Sequence, residues 1–372
     1  MNRIFLLFLL LPVFLSSCET GLRNEVDPDR LNREASKLVV ACFISPQDTV
    51  LAARIGLSTP VLGSVTATNS FLNVTNANVT ITNGSRLAAL RYGNYNGLGV
   101  YVVSARDFPV LEGQTYTLNV ETPDGKKVTS QCTIPGPPPT PEARFDSTVQ
   151  ESGFSFSNGV RTPFITKEYG LRLQWTDPAG QRNYYRAAGF FRYQPITLTN
   201  PALVQPPTVS TTFFDNNGLQ ADAASTDGTR LVSRRGIYHR YNNNGGFFSN
   251  PIVITNPDNT TTTIFCPTCT TSITGPSGTT NISPPPGSIS NPASQTIDIG
   301  KVTLSSIVRQ AELTYSLLHV DENYYRYQDA IWRQGGSDGN PFAEPVPIPT
   351  NINGGLGCFG GYNRRSVVLK IK

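Results

Sequence analysis

A chain of 372 residues is long enough for two domains of ordinary size and short for three. Charged residues make up only 15%, and 32 Gly, 29 Pro and abundant Thr, Asn and Ser argue against helical bundles, coiled coils and doubly wound α/β enzymes, in favour of strands joined by turns. The net charge of +4 leaves 23 Arg and 7 Lys against 26 acidic residues, the basic ones mostly scattered singly with doublets at Lys126-Lys127, Arg234-Arg235 and Arg364-Arg365, so no basic stripe faces a phosphate backbone and nucleic acid is not an expected partner.

Residues 1–17 read as an export signal: Arg3 supplies the positive start, Ile4 to Leu15 is an apolar run of twelve residues, and Ser16-Ser17 are small. That run is too short to span a bilayer, which takes roughly 20 apolar residues. Leu15-Ser16-Ser17-Cys18 resembles the bacterial lipobox, in which small side chains admit the peptidase and the cysteine thiol carries a diacylglycerol thioether. Cys18 is therefore expected to be lipidated, with residues 18–36 a polar tether and the membrane a partner through the anchor. Five cysteines remain beyond Cys18, an odd number for an oxidising compartment.

Residues 37–135 alternate with a period of two. Leu38, Val40, Cys42 and Ile44 form one run, Leu51, Ala53, Ile55 and Leu57 another, and Tyr116, Leu118 and Val120 a third. Asn83-Gly84 and Thr122-Pro123-Asp124-Gly125 supply hairpin turns between such runs. About seven strands in some 100 residues predict an immunoglobulin-like β-sandwich. Cys42 and Cys132 fall on inward faces of its first and last strands, where a disulfide between them and two separate buried thiols both fit.

Residues 136–143 begin Gly136-Pro137-Pro138-Pro139 and read as a stiff linker, with a second β-rich domain carrying one short helix over 144–372. Tyr169 to Trp175 and Tyr184 to Tyr193 are strand-like, joined by a turn at Thr176 to Gly180. The stretch from about 195 to 295 is Thr, Asn, Pro, Ser and Gly with short apolar islands, which suggests edge strands and large polar loops. Ile297, Ile299 and Val302 to Leu304 look extended, and Glu312 to Val320 alternates as a strand. Asp321 is placed to cap a helix from about Glu322 to Gln334, stopped by Gly335-Gly336. Tyr324, Tyr327 and Ile331 share one face of that helix and Tyr325 and Trp332 a neighbouring one. Packing onto the sheet is the favoured reading, and Tyr324, Tyr325 and Trp332 are the candidates for a sugar or peptide platform. Ser366 to Ile371 is a closing strand.

Little in the chain suggests catalysis. His239 and His319 lack metal-ligand spacing, the GxSxG string Gly335 to Gly339 ends a helix instead of joining a strand to one and so forms no nucleophile elbow, and no catalytic residue, cofactor or metal is expected. Cys266-Pro267-Thr268-Cys269 fits a loop disulfide better than a redox pair, which needs a helix N-terminus, or a zinc knuckle, which needs a second pair of ligands. Asp215 to Gly218, with Asp222 and Asp227 downstream, offers oxygen ligands of the kind Ca²⁺ takes but does not follow the EF-hand spacing, so turn formation is preferred. Asp48-Thr49-Val50 and Asp146-Ser147-Thr148 resemble a bacterial O-glycosylation triplet.

Asn340-Pro341-Phe342-Ala343-Glu344-Pro345, Asn351 to Gly357 and Phe359-Gly360-Gly361-Tyr362 resemble a family of Bacteroidota lipoproteins, domain of unknown function 4249. Tyr315 to Trp332, Lys37 to Val40 and Gly113 to Leu118 are similar to it as well. The resemblance implies an outer-membrane lipoprotein, often encoded beside TonB-dependent receptors, without an assigned catalytic activity. The glycine-dense run is expected to be a loop packed under the sheet and leading into the last strand. The functional expectation is a non-enzymatic outer-membrane lipoprotein, an accessory or ligand-capture partner of a TonB-dependent transporter. The rival is an adhesin or glycan-binding lipoprotein that acts alone.

Overall fold

In the computed structural model the period-two runs of the N-terminal part become β1 (Leu38–Ile44), β2 (Val50–Leu57), β3 (Leu72–Asn73), β4 (Asn78–Thr82), β5 (Leu87–Tyr95), β6 (Leu98–Ser104), β7 (Thr115–Glu121) and β8 (Lys127–Thr133). The structure describes residues 36–58, 72–157, 160–196, 202–243, 252–255, 261–264, 271–275, 278–282, 302–337 and 346–371. Cys18 and nearly all of its tether, Cys266 and Cys269, Ile297, Ile299 and Asn340 to Pro345 lie outside those residues.

The sandwich is built by one strand that turns a corner. β5 pairs through Leu87 to Leu90 with β4 and through Arg91 to Tyr95 with β6, so it belongs to both faces. One face runs β1-β2-β6-β5 and the other β5-β4-β7-β8. Leu38, Val40, Cys42, Ile44, Leu51, Ala53, Ile55, Tyr116, Leu118 and Val120, expected to point inward, are buried in the core between them, and Leu57 of the same pattern packs half-buried against it. Both turns form where glycine is needed, with φ of 90° at Gly84 and 85° at Gly125.

The second part contains β9 (Glu142–Ser157), β10 (Val160–Thr176), β11 (Tyr184–Pro195), β12 (Thr208–Thr211), β13 (Phe213–Phe214), β14 (Leu219–Ala221), β15 (Arg230–Val232) and β16 (Gly236–Asn243). Two hairpins follow, β17 (Ile252–Thr255) with β18 (Thr261–Ile264) and β19 (Thr271–Gly275) with β20 (Gly278–Ile282). The chain then forms α1 (Leu304–Ile307), β21 (Val308–Val320), α2 (Glu322–Ser337) and β22 (Leu356–Ile371). Leu304, expected to be extended, instead starts the single turn of α1, whose Leu304 and Ile307 plug the core. That core, with Leu171, Leu173, Trp175, Phe191, Leu313 and Leu317, lies between the β11-β21 sheet and a five-stranded sheet of β13, β16, β10, β15 and β9. The protein is mainly β.

The glycine-dense segment is strand from Leu356 onward, a correction to the loop expected there. Residues 356–361 pair in parallel with β1, and Tyr362 to Ile371 pair antiparallel with β21. One strand thus joins the sandwich to the second sheet, and a continuous ladder crosses the Pro-rich boundary drawn in sequence. Physical reason lies in the glycines: at Gly357, φ 102°, a Cβ would sit 1.9 Å from the Val40 carbonyl oxygen, and at Gly361 one would sit 2.8 Å from that of Thr133. At those two positions only a residue without a side chain fits.

Candidate functional site

The carboxylates that come together are Asp177, Asp222 and Asp227. Asp177 follows β10 at a turn, Asp222 follows β14, and Asp227 lies on the loop into β15. Their oxygens lie within 4.8 Å of one another, the one such group of metal-capable side chains among the described residues. Asp177 and Asp222 are 2% and 4% exposed, and Asp227 is exposed.

Each carboxylate is held by named donors. Tyr185 donates its hydroxyl to Asp177 Oδ1 at 2.6 Å and Asn183 its Nδ2 at 3.2 Å. The backbone N–H of Asn183 donates to Asp222 Oδ1 at 2.8 Å, and that of Gly180 to Asp227 at 2.9 Å. Asn183 therefore couples two of the acids, while Gly180, with φ 89°, carries the turn to the third. Burial, and then the carboxylate of Asp177, push the Tyr185 hydroxyl far up, so it stays a proton donor. Asp222 and Asp227 border an open depression of about 570 Å³ whose other walls are Gly180, Gln181, Arg182, Ala223 and Ala224. Arg182 lies over the Tyr184 ring at 5.4 Å. The oxygen set is of a kind that hard cations or polar groups with N–H and O–H donors use. In the sequence Asp222 and Asp227 stood out beside Asp215 as oxygen ligands of the kind Ca²⁺ takes, with turn formation preferred, and Asp177 only as part of the Thr176 to Gly180 turn; the structure joins Asp177, and not Asp215, to the other two. The partners of Asp177 are 45 and 50 residues away, and only the ladders of β11 with β14 and of β10 with β15 bring them together.

The aromatic helix is packed, as the favoured reading had it. Asp321 caps α2 by accepting from the Tyr324 N–H at 2.7 Å. Tyr324 is 4% exposed, meets Phe43 edge-on at 4.8 Å and accepts a hydrogen bond from Arg186 Nη1 at 2.5 Å. As a platform residue it is corrected: its ring faces the sheet. Tyr325 packs on Tyr184 at 5.0 Å and Trp332 on Phe213 at 5.9 Å, and both are half-buried. The helix runs past Gly335-Gly336 to Ser337.

Cys42, Cys132 and Cys358 are free buried thiols, so the Cys42–Cys132 disulfide, one of the two arrangements open from sequence, is not formed. The two cysteines lie on different faces of the sandwich, opposite Ala53 and Tyr116 respectively. Burial pushes Cys42 up to about 12 and drives Cys132 and Cys358 upward too, which keeps them protonated and unreactive. The histidines are structural: His239 sits among Tyr169, Phe191 and Tyr193, with burial pushing it down to about 4, and His319 Nδ1 is 2.9 Å from the Gly136 carbonyl oxygen. Asp215 to Gly218 is a 3₁₀ turn, with Asn216 and Asn217 left-handed at φ 52° and 51°.

Fold and site together define a mainly β protein with two sheet-walled cores, a helix on one sheet face and an acid-floored depression at a loop rim. The family model Domain of unknown function (DUF4249) matches residues 23–367, and the chain belongs to that family. No match was found among curated proteins.

Proposed function

We propose that the protein is a non-enzymatic lipoprotein of the outer membrane that captures a ligand by contact and hands it to a TonB-dependent transporter. The observation that carries the anchored part is the lipobox, Leu15-Ser16-Ser17-Cys18, followed within twenty residues by a polar tether and then by β1. The transporter rests on the resemblance described above. Capture by contact is supported by the depression beside Asp222 and Asp227, which is open and reachable. The non-enzymatic reading is supported by the tasks the titratable groups already have: Asp321 caps a helix, Asp48 accepts from Tyr362, and both histidines are packed against rings. Placement of Tyr324 against the sheet removes one anchor of the rival, an aromatic glycan platform on α2.

Two measurements test this reading. Labelled palmitate is expected to enter the wild-type protein and to be absent after Cys18→Ala; equal labelling of both would defeat the anchor. Affinity purification from detergent-solubilised membranes is expected to bring down a transporter. Purification without one would favour an adhesin.

A further inference from the structure

The longest open backbone edge among the described residues belongs to β9. It pairs with β10 from Glu142 to Ser157 and with no other described strand. By contrast, the β8 edge is closed by a bridge between Thr129 and Asn353 and by Ser130 donating to the Asn351 carbonyl. From Arg144 to Glu151 every side chain of β9 is exposed except half-buried Asp146. The stretch has no Pro and no Lys, its charges are Arg144, Asp146 and Glu151, its bulge falls beyond Glu151, and it displays Phe145 and Val149, 46% and 49% exposed, on one face.

An unpaired edge of this kind is a template on which another strand can add, and its register selects the partner. We propose that β9 pairs antiparallel with β9 of a second copy of this chain, about a two-fold axis through Ser147. Two five-stranded sheets would then form one sheet of ten. A two-fold normal to the sheet keeps each side chain on its own face, so the axis must pass through a residue. The straight part of the strand ends at Glu151, because Glu151 opposes Ile165 while Gly153 opposes Phe164, leaving Ser152 as a bulge.

Within that limit the charges discriminate. An axis at Asp146 sets that carboxylate against itself. An axis at Thr148 sets Phe145 against Glu151. An axis at Phe145 matches Arg144 with Asp146, but it runs Val149 past the end of the strand to Pro141, and Asp146 is already engaged by Arg172 and Arg235. The axis at Ser147 sets Phe145 against Val149, Arg144 against Gln150, Asp146 against Thr148 and Ala143 against Glu151. No like charges are opposed, both apolar side chains find a partner, and a small hydroxyl lies on the axis.

The test uses the full chain purified in mild detergent. Native mass by light scattering is expected to be twice that of one chain, and Val149→Lys is expected to weaken the dimer at least tenfold without shifting the thermal midpoint of the dissociated protein. Under mild oxidation Ser147→Cys should cross-link to itself, since directly opposed Cα atoms lie about 5 Å apart. Gln150→Cys is also exposed but sits about 20 Å from its copy, six residues along the strand, and should stay uncrosslinked. Four results would overturn the proposal: a monomer up to the solubility limit, cross-linking from Gln150→Cys or Phe145→Cys in place of Ser147→Cys, an adduct of Ser147→Cys with a different polypeptide, or a sugar on Ser147 in the intact mass.

Discussion

Asp321 shows how a single side chain links two elements. It caps α2 through the Tyr324 N–H and also accepts from the Gly361 N–H of β22, whose own backbone carbonyl receives the Asp321 N–H at 2.9 Å. Burial pushes its carboxyl up to about 6, and these hydrogen bonds only partly oppose the shift. A folded-state value above the unfolded one means that the native protein holds the proton more tightly, so this group stabilises the fold at low pH and loses that contribution as pH rises through about 6. The size is of order 3 kcal/mol, from about two units at 1.4 kcal/mol each. Urea unfolding of wild type and Asp321→Asn between pH 4 and 7 should show wild type losing stability relative to Asn across that window; parallel curves would refute the assignment. Gly357 carries a steric argument at the same scale. Gly357→Ala should cost more than about 3 kcal/mol, because the Cβ strikes the Val40 carbonyl and φ is positive. Gly84→Ala, with φ 90° but nothing within 4 Å, should cost about 1 kcal/mol. Thermal melts of the two variants decide it.

At the scale of elements, α2 is fastened by its buried aromatic face. Tyr324 lies between Phe43 of β1 and Tyr362 of β22 and takes a hydrogen bond from Arg186 of β11. Tyr324→Ala should therefore destabilise by about 3–5 kcal/mol, whereas Trp332→Ala, which loses one half-exposed contact with Phe213, should cost about 1–2 kcal/mol. Denaturant midpoints of the two variants check the ranking; a platform role for Tyr324 predicts the reverse, with little change in stability. The sandwich strands, both hairpin turns and this helix with its cap were legible in the sequence, because each rests on local periodicity or on one residue's φ or hydrogen bond. The role of β22 was not. Its first six residues are read as a loop because glycines break strand propensity, and only the approach to the Val40 and Thr133 carbonyls explains them. The acidic cluster was hidden for a related reason, since its members meet only after β10, β11, β14 and β15 have paired.

Across the whole molecule, β22 decides whether the two halves melt separately. It gives six residue pairs to β1 and ten to β21, so unfolding of the second sheet strips the outer edge of β1 and uncovers Phe359 and Cys358 in or beside the sandwich core. Two halves joined only by the Pro-rich segment would unfold independently; two halves sharing a strand should unfold together. Three native thiols report on this without engineered cysteines. Cys358 on β22 follows the shared strand, Cys42 follows β1, and Cys132 on β8 follows the far edge of the sandwich. Each is buried and protonated in the native state, so alkylation reads its exposure. Maleimide labelling along a urea series, with mass mapping of the three peptides, should give one common midpoint. Cys358 reacting well before Cys132 would show that the sandwich outlives the loss of β22, and failure of Cys42 and Cys132 to react in full denaturant without reductant would reveal a disulfide between them.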